Sequence, residues 1–337
     1  MDYSIVIPVF NKAALTRHCL STLRATLHGA GNGEVIVIDN ASSDETPEML
    51  KEFPWVRVVR NERNLGYAGA NNQGAALATG EYLVLLNNDI EAKPGWLASM
   101  LKTARQNGVG AVGARLLFPD GTLQHAGAFM VPFRVGFSGF SAFHDLYNGA
   151  GTMPEATGKH DYQAVTGACL VTPRVLYQEL GGLDEGFWNG CEDVDYCLNV
   201  RSRGLRVVYD GDAVLTHFES QSGTQRWRKA SWNIARLNER WKGRVEYDMV
   251  AHHLRRGTIR REIRFMRGNH TYETLYTPRT TILVHGDCSR ASDAEFVRRL
   301  TDNRAPVEKI VWVTEADAID AARDAMEIRG EIGRAHV

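Results

Sequence analysis

The feature that most constrains this chain is an alternation that begins at its first residues. Short apolar runs, Tyr3–Val9, Val35–Ile38, Val56–Val59 and Tyr82–Leu86, are separated by segments of helical period. The first such segment carries Leu15, Cys19, Leu20, Leu23 and Leu27. The second opens on a Ser42-Ser43-Asp44 cap with Glu45 and Glu48 in its first turn, where a helix dipole favours acids. The third is the small-residue stretch Tyr67–Ala78. A strand that is apolar on both sides has no wet face, so these strands predict a parallel sheet covered by helices on both faces. The expected fold is α/β and doubly wound. Ligands in such sheets bind at the carboxyl ends of the strands. The polar clusters fall there: Asn11, Asp39 and Asn87-Asn88-Asp89.

Beyond residue 90 the pattern predicts a helix over Trp96–Gln106, a strand over Val109–Phe118 and another over Ala164–Val171. A helix from Pro173 ends at Gly181-Gly182, and a helix over Glu192–Arg203 precedes a strand at Leu205–Tyr209. Residues 119–160, rich in Gly, Phe, Asp and His, read as loops and short strands lining a cleft. Residues 1–225 are thus the main domain. From 226 to 270 the chain holds thirteen Lys and Arg against four acids, a local net of +9. With Ile259, Ile263 and Met266 as a stripe, 226–278 reads as a basic amphipathic helical extension. Residues 279–330 read as the start of a second α/β unit, with strands near Thr280–Gly286 and Val307–Val313. The tail 331–337 resembles translated sequencing-adapter DNA and is set aside from fold reasoning.

The formal net charge of −1 gives no electrostatic case for nucleic acid. Five cysteines, none in a C-x-x-C pair, argue against a disulfide framework or a zinc knuckle and fit a reducing cytosol. The start lacks the basic region of a signal peptide, and no apolar run approaches membrane-spanning length. The expected location is cytoplasmic. The basic 226–270 segment would either rest on the anionic inner face of a membrane or pack as a solvated helical pair against the core.

Four clusters carry the chemistry. Asp39, at the end of the second strand, could accept the ring N–H of a nucleobase, while Asp44 fits a helix cap equally well. In Arg63-Asn64-Leu65-Gly66 through Gly74, glycines and a helix N-terminus suit a phosphate, and a Gly/Ala face equally suits close helix–sheet packing. Asp89 suits a hard divalent cation, although Asn and Asp are also turn residues. Glu192, Asp193 and Asp195 open a helix after a Gly-rich loop, where a carboxylate could be a general base or merely complement the dipole. His217, just after a strand, is placed as a metal ligand would be, or as a core histidine.

Taken in order, these pieces resemble the family 2 glycosyltransferases of GT-A fold. The matching stretches are Ser4–Asn11, Asp39–Asp44, Asn64–Gly74, Asn87-Asn88-Asp89, Gly181–Glu185, Glu192–Asp195, His217–Ser220 and Asn238–Trp241. The similarity is greatest to bacterial members that build O-antigen and related polysaccharides, including rhamnosyltransferase-like ones. The resemblance implies an inverting transfer from a nucleoside-diphosphate sugar to a glycan or lipid-linked acceptor. It implies Pro8, Val9, Asn11, Asp39, Asn64 and Gly66 at the nucleotide. Asp89 and His217 would hold Mg²⁺ or Mn²⁺, Asp193 would be the base, and Glu192 would contact the acceptor. One departure is Asn87, where the family motif usually starts with Asp. A pyrophosphorylase or a dehydrogenase would need a Gly-rich loop after the first strand, and Pro8-Val9-Phe10-Asn11-Lys12 holds no glycine. The other reading of a different class is a degenerate module that only binds nucleotide-sugar or glycan.

Overall fold

The computed structural model describes residues 1–132, 139–218, 229–248 and 252, and the backbone of four further strands toward the C-terminus. The chain divides into two compact units. One comprises Met1–Phe129, Ala142–Arg244 and Ala335–Val337, the other Met130–Ser141 and Val245–Arg334.

In the first unit the expected alternation is present: β1 (Tyr3–Val9), α1 (Ala13–Thr26), β2 (Gly33–Asp39), α2 (Thr46–Leu50), β3 (Arg57–Arg60), α3 (Gly66–Leu77) and β4 (Tyr82–Leu86). There follow β5 (Ile90–Ala92), α4 (Trp96–Ala104), β6 (Val109–Leu117) and β7 (Leu123–His125). A separate two-stranded ladder, whose residues fall partly in each unit, joins β8 (Ala128–Pro132) to β9 (Phe140–His144). Then come β10 (Lys159–Tyr162), β11 (Cys169–Pro173), α5 (Arg174–Glu179), α6 (Glu192–Ser202), β12 (Arg206–His217) and α7 (Ala230–Trp241).

The sheet runs β10-β12-β6-β11-β4-β1-β2-β3, with β5 beside β12 and β7 beside β6. β1 to β4 are mutually parallel in their pairings, β11 is antiparallel to β4 and β6, and β12 is parallel to β6. Successive residues of a strand face opposite sides. Ile5, Ile7, Val35, Val37, Val84 and Leu86 pack in one core cluster with Leu20 and Leu23 of α1 and Trp96 and Met100 of α4. Val6, Ile36, Ile38, Leu83 and Leu85 are buried outside that cluster, on the side where α3 lies. A Cβ added at Gly74 would stand 2.3 Å from Val6 Cγ1, so the small-residue face of α3 is what lets it lie close on β1.

β1 pairs β2 as far as Val9↔Asp39, but pairs β4 only as far as Val6↔Leu85. Pro8, which has no N–H, falls beyond the β4 ladder. Chain connections run from β1 to β2 and β3 on one side, with β4 on the other. The crevice between the carboxyl ends of β1 and β4 is therefore the topological switch point.

Two expectations change within this unit. The strand expected to stop at Tyr209 continues to His217, with a register shift between Asp210 and Val214. Asp210 is fully buried yet satisfied: Ser99 Oγ and Thr103 Oγ1 donate to it at 2.9 and 2.7 Å, and Lys159 Nζ lies 3.3 Å away. The polar stretch that looks like a strand end is thus carried inside the sheet. The basic helix α7, assigned by sequence to an extension beyond residue 225, belongs to the first unit. Its Arg240 holds Asp195 through both oxygens at 2.9 and 2.7 Å, Trp241 Nε1 donates to the same carboxylate at 2.7 Å, and Arg236 grips Asp184 at 2.7 Å. Asn233 accepts from Trp188 N–H at 3.0 Å and donates to Trp188 O at 2.9 Å. The 186–190 loop is thereby pinned ahead of α6.

In the second unit, β13 (Arg260–Arg267) and β14 (His270–Tyr276) are antiparallel, β14 pairs β15 (Thr281–His285), and β15 is parallel to β16 (Lys309–Val313). Of the helix expected through Ile259, Ile263 and Met266, the stretch Arg260–Arg267 is a strand instead. Ile263 and Phe265 alternate with charges at period two, and Thr271-Tyr272-Glu273-Thr274-Leu275-Tyr276 supplies a partner rich in β-formers. β15 and β16 fall where strands are expected near Thr280–Gly286 and Val307–Val313, and they pair in parallel. The helices expected near 293–301 and from 315, and the tail 331–337, lie outside the described residues.

Removing Arg240 strands a carboxylate that is 2% exposed. Burial already raises the pKa of Asp195, against the pull of Trp241 and Arg240. Arg240→Ala should cost about 1–3 kcal/mol in urea unfolding at pH 8, less than a fully buried pair because Arg240 is partly exposed. Since protonating Asp195 relieves the stranded charge, the deficit should shrink at pH 5. An equal deficit at both pH values would show that Arg240 does not act through that charge.

Candidate active site

The carboxyl end of β4 leads directly into Asn87-Asn88-Asp89, and β5 then turns back to pair β12, with His217 opposite Ile90. That pairing brings the two expected metal ligands together: His217 Nε2 lies 3.0 Å from Asp89 Oδ1. Both are largely buried. Phe218 N–H donates to Asp89 O at 2.9 Å, Asn88 Nδ2 to Thr16 Oγ1 at 2.8 Å and Asn87 N–H to Ala168 O at 2.9 Å, so the corner is held on three sides. His217 Nδ1 lies 2.5 Å from Gln124 Oε1, and Asn87 Nδ2 lies 3.2 Å from His217 Nε2. His125, next to Gln124, is fully buried and 2.6 Å from His144 Nδ1. Burial, then the neighbouring His144 and His217, hold it well below the usual histidine range.

One carboxylate oxygen and one imidazole nitrogen 3.0 Å apart are spaced as adjacent donors on one small divalent cation, with bond lengths of roughly 2.0–2.2 Å. A hard oxygen ligand suits Mg²⁺ or Mn²⁺, and such ions bind with few protein ligands when phosphates supply the rest. The donor set fits the expected metal.

The expected nucleotide residues gather at the neighbouring strand ends. Asn11, at φ 58, takes Ser43 N–H on its Oδ1 at 2.7 Å and donates its own N–H to Ser42 Oγ at 2.8 Å. Lys12 (φ 65) and Ala41 (φ 67) share the left-handed region, costly for residues with a Cβ and held here by this lacing. Asp44, the ambiguous cap, accepts from Thr46 N–H at 3.0 Å and Ala13 N–H at 3.3 Å. Asp39 is 1% exposed, and both its oxygens have protein partners: Oδ1 takes Ser42 N–H at 2.9 Å and Oδ2 takes Arg60 Nη1. Arg60 stands opposite Asp39 in the β2–β3 register, a signal that needed the pairing to be read. Asn40, buried, is the node of the site. It donates to Asn64 Oδ1 (2.9 Å) and Gly66 O (3.1 Å) and accepts from Asn61 Nδ2 (3.0 Å) and Leu65 N–H (3.1 Å).

The N-terminus of α3 differs from expectation. Gly66 N–H is taken by Asn64 Oδ1 at 2.8 Å and Tyr67 N–H by Asn189 Oδ1 at 3.2 Å. Its first two donors are capped by amides rather than left open for a phosphate. Gly66 itself, at φ 76, lies under the Trp188 ring.

At the lip, Asp193 Oδ2 accepts from Gly167 N–H at 2.7 Å, and Tyr67 OH donates to Gly167 O at 2.6 Å. Tyr67 is kept a neutral phenol by burial first, then by the charges of Asp193 and Glu192. Sequence reading missed Tyr67 and Gly167. The three acids of α6 separate by environment. Asp195 is locked to α7, as described above. Glu192, 5% exposed, takes Gly190 N–H at 2.6 Å and so closes its own loop. Asp193 is only partly buried.

Residues 4–151 match the model of glycosyl transferase family 2. Among curated relatives, an uncharacterized protein of Sinorhizobium fredii is 38% identical over 65% of this chain, and the O-antigen biosynthesis protein RfbC of Myxococcus xanthus 34% over 65%. The chain spans only 24% and 17% of those two proteins' lengths. The N-acetylglucosaminyl-diphospho-decaprenol L-rhamnosyltransferase of Mycobacterium tuberculosis is 25% identical over 56% of this chain and 67% of its own. Among solved structures, GalNAc-T7, crystallised with UDP, GalNAc and Mn²⁺, superposes with a TM-score of 0.52 at 19% identity, covering 64% of this chain and 43% of that one. The shared fold is the GT-A type of α/β sheet. The GT-A fold, the match of residues 4–151 to the glycosyl transferase family 2 model and these relatives all agree in what the N-terminal part of this chain is similar to.

Proposed function

We propose that the crevice at the ends of β1, β2 and β4 binds a nucleoside-diphosphate sugar, and that the domain transfers the sugar, with inversion, to a hydroxyl of a glycan or lipid-linked acceptor in cell-surface polysaccharide synthesis. The observation that carries this is the meeting of Asp89 with His217 at 3.0 Å, at the switch point of the sheet. GalNAc-T7 holding UDP and Mn²⁺ on a similar fold supports a metal-bridged donor. RfbC, named for O-antigen biosynthesis, and the rhamnosyltransferase, named for a lipid-diphosphate substrate, support the acceptor class.

Each residue then has a task. Pro8, Val9 and Asn11 border the nucleotide. Asp39 keeps one lone pair on each oxygen beyond its bonds to Ser42 and Arg60, enough to accept a base N–H. Asn64 and Gly66 shape the floor beside the diphosphate. Asp89 and His217 hold the divalent cation, which when bound supplies Lewis-acid neutralisation of the departing diphosphate. Asp193 takes the proton of the acceptor hydroxyl as the new carbon–oxygen bond forms at the anomeric carbon. Its carboxylate is aimed by Gly167 N–H, and Glu192 shapes the acceptor side of the lip. Displacement from the face opposite the leaving diphosphate inverts the anomeric centre.

Of the basic 226–270 segment, Arg236 and Arg240 are engaged by Asp184 and Asp195. This supports packing, rather than membrane contact, as the role of α7. Among the described residues no helix is long and apolar enough to cross a membrane.

Calorimetry with UDP, dTDP and GDP, with Mn²⁺ or with EDTA, tests the donor site. One diphosphate should bind only with metal, and Asp89→Ala should weaken it at least about 100-fold, since even outer partners of metal ligands are worth 10–100-fold. If none of the three binds under either condition, the donor site is wrong and the degenerate-module reading leads. Asp193→Asn should retain diphosphate affinity and slow metal-dependent release of nucleoside diphosphate from the donor by roughly 10²–10⁴. An unslowed variant would remove Asp193 from the role of base.

A further inference from the structure

Gln124, at the centre of β7, is 3% exposed and points its amide at the ring of His217. The imidazole sits between two amides that ask the same thing of it. Gln124 Oε1, 2.5 Å from Nδ1, is an acceptor, which favours the proton on Nδ1. Asn87 Nδ2, 3.2 Å from Nε2, is a donor, which favours a lone pair on Nε2.

The opposite tautomer has a strong local attraction. An Nε2–H would point at Asp89 Oδ1, 3.0 Å away, and make a charge-assisted hydrogen bond. That bond is a trap for a metal site. It uses the only imidazole lone pair aimed at the cation and one oxygen of the partner carboxylate. The ring nitrogen that ligates is set by the bond the other nitrogen makes.

We infer that Gln124, with Asn87 opposite it, is a positioning residue that holds His217 as the Nδ1–H tautomer, so that Nε2 and Asp89 present lone pairs to one divalent cation. The inference rests on the metal reading given above. It also gives Asn87 a task that an aspartate at that place could not perform. A carboxylate there could not donate to Nε2, and would itself draw a proton onto that nitrogen. The amide yields its weak bond when a cation takes the lone pair.

The test uses the full chain labelled with ¹⁵N. Long-range ¹H–¹⁵N spectra of the metal-free protein in EDTA report the tautomer of His217, assigned by its loss in His217→Ala. Mn²⁺ alone, followed by electron paramagnetic resonance, reports affinity. The wild type should show Nδ1–H and bind Mn²⁺. Gln124→Leu, nearly isosteric but without an acceptor, should shift the ring toward Nε2–H and weaken Mn²⁺ by about 10–100-fold. Gln124→Glu, which keeps an accepting oxygen, should keep Nδ1–H and bind Mn²⁺ at least as tightly; it also serves if the leucine variant fails to fold. Wild-type protein that binds Mn²⁺ yet shows Nε2–H, or a folded Gln124→Leu with unchanged tautomer and affinity, would overturn the inference alone. A wild type that binds no Mn²⁺ would overturn the metal reading and the inference with it.

Discussion

Helices pack against both faces of the main sheet, and that one constraint decides where chemistry can happen. Buried on both sides, β1, β2 and β4 admit almost no polar side chain along their lengths. Unpaired donors and acceptors collect where the strands run out. The β1–β4 ladder stops at Val6↔Leu85 while β1–β2 runs on to Val9↔Asp39, so the ends diverge on one side only. Pro8 suits that divergence because it has no N–H to lose. The crevice follows from the order in which the strands were laid down rather than from any single residue.

What lines the crevice is held by short polar bonds rather than by apolar packing. Asn11, Ser42, Asn40 and Asn64 tie three strand ends to one another. Non-glycine residues at positive φ, Asn11, Lys12 and Ala41, are the local cost of those turns. On the opposite lip, α7 reaches Asp184, Asp195 and Trp188, so the loop before α6 is fixed by ion pairs and amide bonds. A site built this way has little reorganisation left to do when charge develops, which is where electrostatic catalysis gains most.

Much of this was legible in the chain itself, and the reasons differ from element to element. Continuous apolar runs mark β1, β2 and β4 without ambiguity, because nothing else buries Ile5-Val6-Ile7 or Leu83-Val84-Leu85. Asp39 and Asp89 could be placed at strand ends for the same reason. The partners of those residues could not. Arg60 meets Asp39 through strand register, Gln124 meets His217 through the return of β12, and Arg240 meets Asp195 across a fold. None of these pairings leaves a trace in local periodicity. The apolar run that marks β12 stops at Tyr209, and the strand continues because Asp210 is a buried, satisfied carboxylate. The helical stripe of Ile259, Ile263 and Met266 misled because Ile263 and Phe265 also fit a period of two, and the strand partner at 270–276 decided between the two readings.

The central claim is that Asp89 and His217 are two ligands of one cation that anchors a nucleoside diphosphate at the switch point. Anomalous diffraction at the manganese edge, from crystals grown with Mn²⁺ and the diphosphate that binds, tests it most directly. The account predicts an anomalous peak within bonding distance of Asp89 Oδ1 and His217 Nε2, with the diphosphate on its far side and the base beside Asp39. A peak elsewhere, or a diphosphate ordered in the crevice with neither residue touching the metal, would contradict it.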